Sequence, residues 1–125
     1  MKHRLTVCIV ENETSLRHSL TRVLRTFGFE VDAFAEPKEM LQRMEAGTLQ
    51  YIVLLLDINL GEMSGFDLHA RLRTLGLSVP TIFMTGFDEA GHRERVAQLG
   101  AAAYLVKPFE DLDLINAIAE AVQKH

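Results

Sequence analysis

The chain contains no tryptophan, one cysteine and three prolines in 125 residues. A single cysteine excludes an internal disulfide. Cys8 lies in an apolar run and reads as a small core residue, compatible with a reducing compartment. No apolar run approaches the roughly 20 residues of a membrane span, and no signal peptide precedes residue 5, so a cytoplasmic location is expected. Positive charge is not in excess: 13 basic side chains face 17 acidic ones, for a net charge of −4. That balance gives no general attraction for nucleic acid or an anionic membrane. Low-complexity segments, linkers and exact repeats are missing too. The five histidines, His3, His18, His69, His92 and His125, show no metal-ligand spacing, and most are expected to be solvated.

What remains is the composition of an ordinary globular protein, 48% apolar and 24% charged, long enough for a single domain over 1–125 with one sizeable core. Short apolar runs recur at Leu5–Val10, Glu30–Phe34, Ile52–Leu56, Pro80–Met84 and Ala103–Val106. Helical periodicity fills the gaps. Leu16, Leu20, Val23, Leu24 and Phe27 share one helical face, as do Leu68, Leu72 and Leu75, and Leu112, Ile115, Ile118, Ala119 and Val122. The segment from Glu36 to Ala46 has Pro37 where a first helical turn accepts it. The least apolar helix is expected over Asp88–Leu99, weakened by Gly91. Gly28, Gly47, Gly76 and Gly100 each stand where a left-handed helix cap is expected. Ser64 and Asp67 have the spacing of a capping box.

Strands alternating with helices predict an α/β fold with a parallel sheet covered on both faces. The unbroken run "IVLLL" fits a strand buried on both sides. In doubly wound sheets ligands bind outside the carboxyl ends of the strands. Those ends carry Glu11 and Asn12 after the first run, Asp57 after the third, Thr85 after the fourth and Lys107 after the fifth. The second run ends in Phe34-Ala35 and offers no comparable group, as expected of an edge strand. Glu11, Asn12 and Asp57 form a set of hard oxygen donors suited to Mg²⁺. Lys107 and Thr85 suit the oxygens of a phosphoryl group, and Asp57 suits a nucleophile that forms an aspartyl-phosphate. Taken singly, each residue also reads as a cap, a turn or a solvated lysine. Their convergence at one edge carries the functional reading.

The stretches "VCIVENE", "LLLDINLGEMSG", "IFMTG" and "YLVKPF", in this order and at these spacings, resemble a receiver domain of two-component response regulators over essentially the whole chain. The resemblance implies a flavodoxin-like (βα)₅ fold with sheet order 2-1-3-4-5. It implies Asp57 as acceptor of a phosphoryl group from a histidine kinase or phosphotransfer protein, with Mg²⁺ required. It implies Lys107 as the site lysine, Thr85 as the switch hydroxyl and Tyr104 as the switch aromatic. A backbone carbonyl of Asn59 on the metal and a cis bond between Lys107 and Pro108 follow from it as well. The face made by the helix over 88–99, the fifth strand and the last helix is then expected to change on phosphorylation and to be read by an output domain or a second copy. No output domain is expected within these residues, and no enzyme of its own. Direct contact with nucleic acid or membrane is not expected.

One position departs from the family. The acidic pair after the first strand is Glu11-Asn12, so the second acid is an amide. Mg²⁺ is expected to bind more weakly than in a standard receiver by roughly tenfold or more, about 1.4 kcal/mol. A second reading follows, an atypical receiver that works as a phosphorylation-independent interaction module. A phosphatase with an Asp nucleophile would want a second Asp where Asn59 stands, and "ENETS" is too acidic for a flavin phosphate loop. Phe87, two residues after Thr85, is expected to hinder water and prolong the phosphoryl group.

Overall fold

The computed structural model describes residues 5–46 and 50–124. The Gly47 cap, His3 and His125 lie outside the described residues. Five strands, β1 (Thr6–Val10), β2 (Glu30–Phe34), β3 (Val53–Asp57), β4 (Thr81–Thr85) and β5 (Ala103–Val106), alternate with five helices. The helices are α1 (Thr14–Thr26), α2 (Pro37–Ala46), α3 (Gly65–Thr74), α4 (His92–Gln98) and α5 (Asp111–Lys124). All strand pairs are parallel, in the order β2-β1-β3-β4-β5. This is the flavodoxin-like arrangement.

Side chains alternate along each strand, so each strand feeds two cores. Val7 and Ile9 of β1 face α1 and α5, joining Leu20, Leu24, Leu114 and Ile118. Cys8 and Val10 face the other way, among Met40, Phe66, Leu68, Leu72 and Val96 of α2, α3 and α4. β3 is buried at every position, as its unbroken apolar run predicts. Burying each such Leu contributes roughly 1.5–3 kcal/mol. Burial pushes the Cys8 thiol up, away from thiolate, so it behaves as a hydrophobe.

Local signals set the element ends. Ser64 Oγ accepts from the Asp67 N–H at 3.0 Å and Asp67 Oδ2 accepts from the Ser64 N–H at 3.2 Å, closing the predicted capping box at α3. Gly28, Gly76 and Gly100 take the left-handed cap conformation. Among the described residues no helix is long and apolar enough to cross a membrane.

Three expectations need correction. On α5 the buried stripe is Leu114, Ile118 and Ala121, whereas Leu112 and Val122 are 62% and 43% exposed. Phe27 and Leu75, placed on core stripes of α1 and α3, are about half exposed at the helix ends. The helix expected from Asp88 starts only at His92, because Gly91 sits at its N-cap with φ +90° and the preceding residues form a turn.

Candidate functional site

The register sets the strand ends flush. Val10 pairs with Leu56, Leu56 with Phe83, Asp57 with Met84 and Thr85 with Val106. The residues at and just beyond these ends therefore meet at one sheet edge. Lys107 Nζ donates to Asp57 Oδ2 at 2.7 Å and to Glu11 Oε1 at 2.7 Å. Glu11 is fully buried and Asp57 is 3% exposed.

The other carboxylate oxygens are also engaged. Glu11 Oε2 accepts from the Glu13 N–H at 3.0 Å, and Asp57 Oδ1 accepts from the Asn59 N–H at 2.9 Å. The cluster sets two acidic side chains against one ammonium, a formal net charge of −1 that is largely removed from water. Burial pushes the Glu11 carboxyl up, a shift that Lys107 and the Glu13 N–H only partly oppose. Burial pulls the Lys107 ammonium down, but the bonds and charges of Asp57 and Glu11 outweigh it and hold it above its ordinary value.

Thr85 is fully buried and its hydroxyl is committed to the turn that follows it. It donates to the Phe87 carbonyl at 3.0 Å, and accepts from the Phe87 N–H at 3.1 Å and from Asn59 Nδ2 at 3.4 Å. Phe87 is 71% exposed, and its contact with Thr85 is made by its backbone. Tyr104 stands beside this turn. Its hydroxyl donates to Asp88 Oδ1 at 2.7 Å, and the Arg93 guanidinium lies 4.9 Å over its ring. Burial and the Asp88 carboxylate push the Tyr104 phenol up to about 12, and that same bond holds the Asp88 carboxyl below its ordinary value.

The family model of the response regulator receiver domain matches residues 7–119. The chain belongs to this family. The receiver is 36% identical over 118 residues to nodulation protein W of Bradyrhizobium diazoefficiens, covering 94% of this chain and 51% of that one. The chain thus spans about half the length of the curated relatives it matches. A response regulator receiver protein from Burkholderia phymatum superposes with a TM-score of 0.85 at 30% identity, covering 96% of each chain. The response regulator TrrA from Thermotoga maritima, solved in complex with Mg²⁺ and BeF, shares the fold at a TM-score of 0.79 and 23% identity, covering 94% of this chain and 98% of that one.

The receiver's donor set fits Mg²⁺ in kind, since Glu11 and Asp57 supply carboxylates at a corner with net negative charge. Asn12 is exposed and lines the mouth of a neighbouring cavity of about 580 Å³ with Leu41, Leu60 and Met63. Among the described residues no group of three or more His, Cys, Asp or Glu side chains is arranged to hold a metal. The amide at position 12 leaves the corner one carboxylate short of three.

Gly65 sets how closely α3 approaches the site. Its N–H donates to the Ile58 carbonyl at 2.8 Å, and a Cβ there would collide with the Asp57 carbonyl oxygen and lie 3.1 Å from the Ile58 Cα. The obstacle is backbone, which cannot swing aside. Gly65→Ala is expected to destabilise the domain by about 1–3 kcal/mol. Urea melts check the loss, and unchanged stability would show that α3 can retreat freely.

Sequence reasoning missed several residues. Arg17 Nη1 donates to the Glu11 carbonyl at 2.9 Å, fixing the turn that carries Glu11. Asp88 and Arg93 hold Tyr104. His69 is an exception to the expectation that most histidines are solvated: it is 6% exposed against Phe83, and burial followed by the charge of Arg73 holds it below its ordinary pKa. Only Arg17 had a usable signal, a lone cation one helical turn beyond an acidic strand end.

Proposed function

We propose that this receiver is a cytoplasmic signalling switch, phosphorylated on Asp57 by a histidine kinase or phosphotransfer protein with Mg²⁺. One observation carries the reading: a single lysine ammonium bonds two buried carboxylates at the carboxyl edge of the sheet, 2.7 Å from each. A buried cluster with excess negative charge is costly unless a cation or a reaction uses it.

In this reading an Asp57 carboxylate oxygen attacks phosphorus. The bond from phosphorus to the donor imidazole breaks, and the imidazole leaves with the electron pair. Lys107 turns from Asp57 Oδ2 toward a phosphoryl oxygen and keeps its bond to Glu11. Glu11, Asp57, Asn12 and the Asn59 carbonyl would hold Mg²⁺, which supplies positive charge against the phosphoryl oxygens. Thr85 then donates to the phosphoryl group in place of the Phe87 carbonyl. That exchange frees the turn leading into α4. The α4–β5–α5 face changes as a result, and an output domain or a second copy reads it.

Incubation with acetyl phosphate and Mg²⁺, followed by intact mass, tests the reading. The wild type should gain one phosphoryl group and Asp57→Ala none. Equal labelling of both would move the acceptor elsewhere. No labelling at any Mg²⁺ concentration would favour the phosphorylation-independent module, which the amide of Asn12 supports.

A further inference from the structure

An aromatic chain runs from the core to Tyr104. Phe83 and Phe66 lie 4.9 Å apart, Phe66 and His92 5.8 Å, and His92 and Tyr104 6.4 Å between ring centroids. His92 therefore stands between a buried ring and the tyrosine. Its Nδ1 is shielded from solvent and has no hydrogen-bond partner. A buried ring nitrogen left unpaired is costly, and the large majority of buried polar side-chain atoms have a partner. The ring beside His92 on its outer side is that of Tyr104, whose hydroxyl is a donor now held by Asp88. That outer hold is weakly built, since the Asp88 and Arg93 side chains are 42% and 67% exposed.

We propose that His92 is the inner hydrogen-bonding station of Tyr104, whose hydroxyl alternates between Asp88 outside and His92 Nδ1 inside. His92 is thus a positioning residue that sets how readily the tyrosine turns in. As a device for regulating the site, this deepens the reading of Asp57 as the phosphorylated residue and rests on it. The hydrogen bond itself does not need a phosphoryl group. The two substitutions on either side have opposite signs. Removing Asp88 weakens the outer position. Replacing His92 by Phe keeps a ring against Phe66 and Tyr104 but deletes the inner acceptor.

The test has two arms. In the unphosphorylated Asp88→Ala protein, a double-mutant cycle of His92→Phe and Tyr104→Phe should show a coupling of about fivefold in the unfolding equilibrium constant, the scale of one neutral hydrogen bond. With Asp88 intact the coupling should largely vanish. The Nδ1 nitrogen resonance of His92 should move toward a hydrogen-bonded position in Asp88→Ala and return when Tyr104→Phe is added. In the second arm, BeF₃⁻ with Mg²⁺ serves as the phosphoryl mimic. His92→Phe should weaken its binding about fivefold, Asp88→Ala should tighten it, and both effects should disappear in Tyr104→Phe. Additive cycles with an unmoved His92 resonance would overturn the proposal, even if BeF₃⁻ binds in an Asp57-dependent way. A coupled cycle in the first arm with no Asp57-dependent BeF₃⁻ binding would uphold the hydrogen bond and overturn the phosphorylation reading instead.

Discussion

Replacing Lys107 by methionine is expected to cost about 3–5 kcal/mol near neutral pH, the scale of breaking a buried ion pair from one side. Glu11 is fully buried and Asp57 nearly so, and each loses a 2.7 Å bond to the ammonium. Two uncompensated carboxylates in one corner repel each other, and one escapes by taking up a proton. The pH dependence follows from that escape. The Glu11 carboxyl is already pushed above its ordinary value of 4.5 by burial, and without Lys107 it rises further. A group whose folded-state pKa is raised contributes its stability below the unfolded value, and loses it as pH rises through the folded value. The deficit of Lys107→Met should therefore be smaller near about pH 5.5 than near about pH 7.5. In the wild type Lys107 itself acts on the alkaline side. Its folded pKa lies above 10.5, so its contribution is complete below 10.5 and is lost only as pH rises through the folded value. Urea melts at the two lower pH values check the prediction. Adding Glu11→Gln to Lys107→Met should restore part of the stability, because it removes one of the two uncompensated charges and with it their mutual repulsion. An equal deficit at both pH values, or no rescue by the double variant, would mean that the ammonium is not what makes these carboxylates tolerable.

The fold was legible where burial is symmetric. "VLLL" of β3 is apolar at every position because both faces of a central parallel strand are covered, and no tertiary detail is needed to read it. The shared edge of Glu11, Asp57, Thr85 and Lys107 was legible for a related reason: parallel strands end on the same side, so residues at their ends meet. The face of α5 was legible only in part. Of the expected stripe, Ile118 is buried and Ile115 packs against the core, but Leu112 and Val122 face out while Leu114 and Ala121 take their place, since a period fixes spacing and leaves phase to the packing partner. Only the sheet beneath decides which stripe is buried. Likewise, Asp88, His92 and Arg93 looked like a solvated helical turn, because a polar residue gives no sign in sequence that its partner is a tyrosine 11–16 positions away.

Asn12→Asp is expected to tighten Mg²⁺ binding at least about tenfold, or about 1.4 kcal/mol. Glu11, Asp57 and Lys107 already sum to one negative charge. A third carboxylate doubles it, and a divalent cation feels each added unit twice over. Position 12 is exposed, so water screens part of the gain and keeps it near the lower figure. The same charge should act in the opposite direction before the metal arrives. A carboxylate beside two others raises their repulsion, so metal-free Asn12→Asp should be less stable than the wild type by up to about 1 kcal/mol. Mg²⁺ should then stabilise the variant by more than it stabilises the wild type, because ligand binding adds stability in proportion to the logarithm of concentration over Kd. Melts with chelator and with Mg²⁺ should accordingly cross: the variant lower without metal and higher with it. Calorimetric titration gives the affinities directly, and acetyl phosphate labelling of the variant should need less Mg²⁺ than that of the wild type. Equal affinities would place residue 12 outside the metal's reach. The weakness attributed to its amide would then have to come from Lys107, which already occupies one oxygen of each carboxylate.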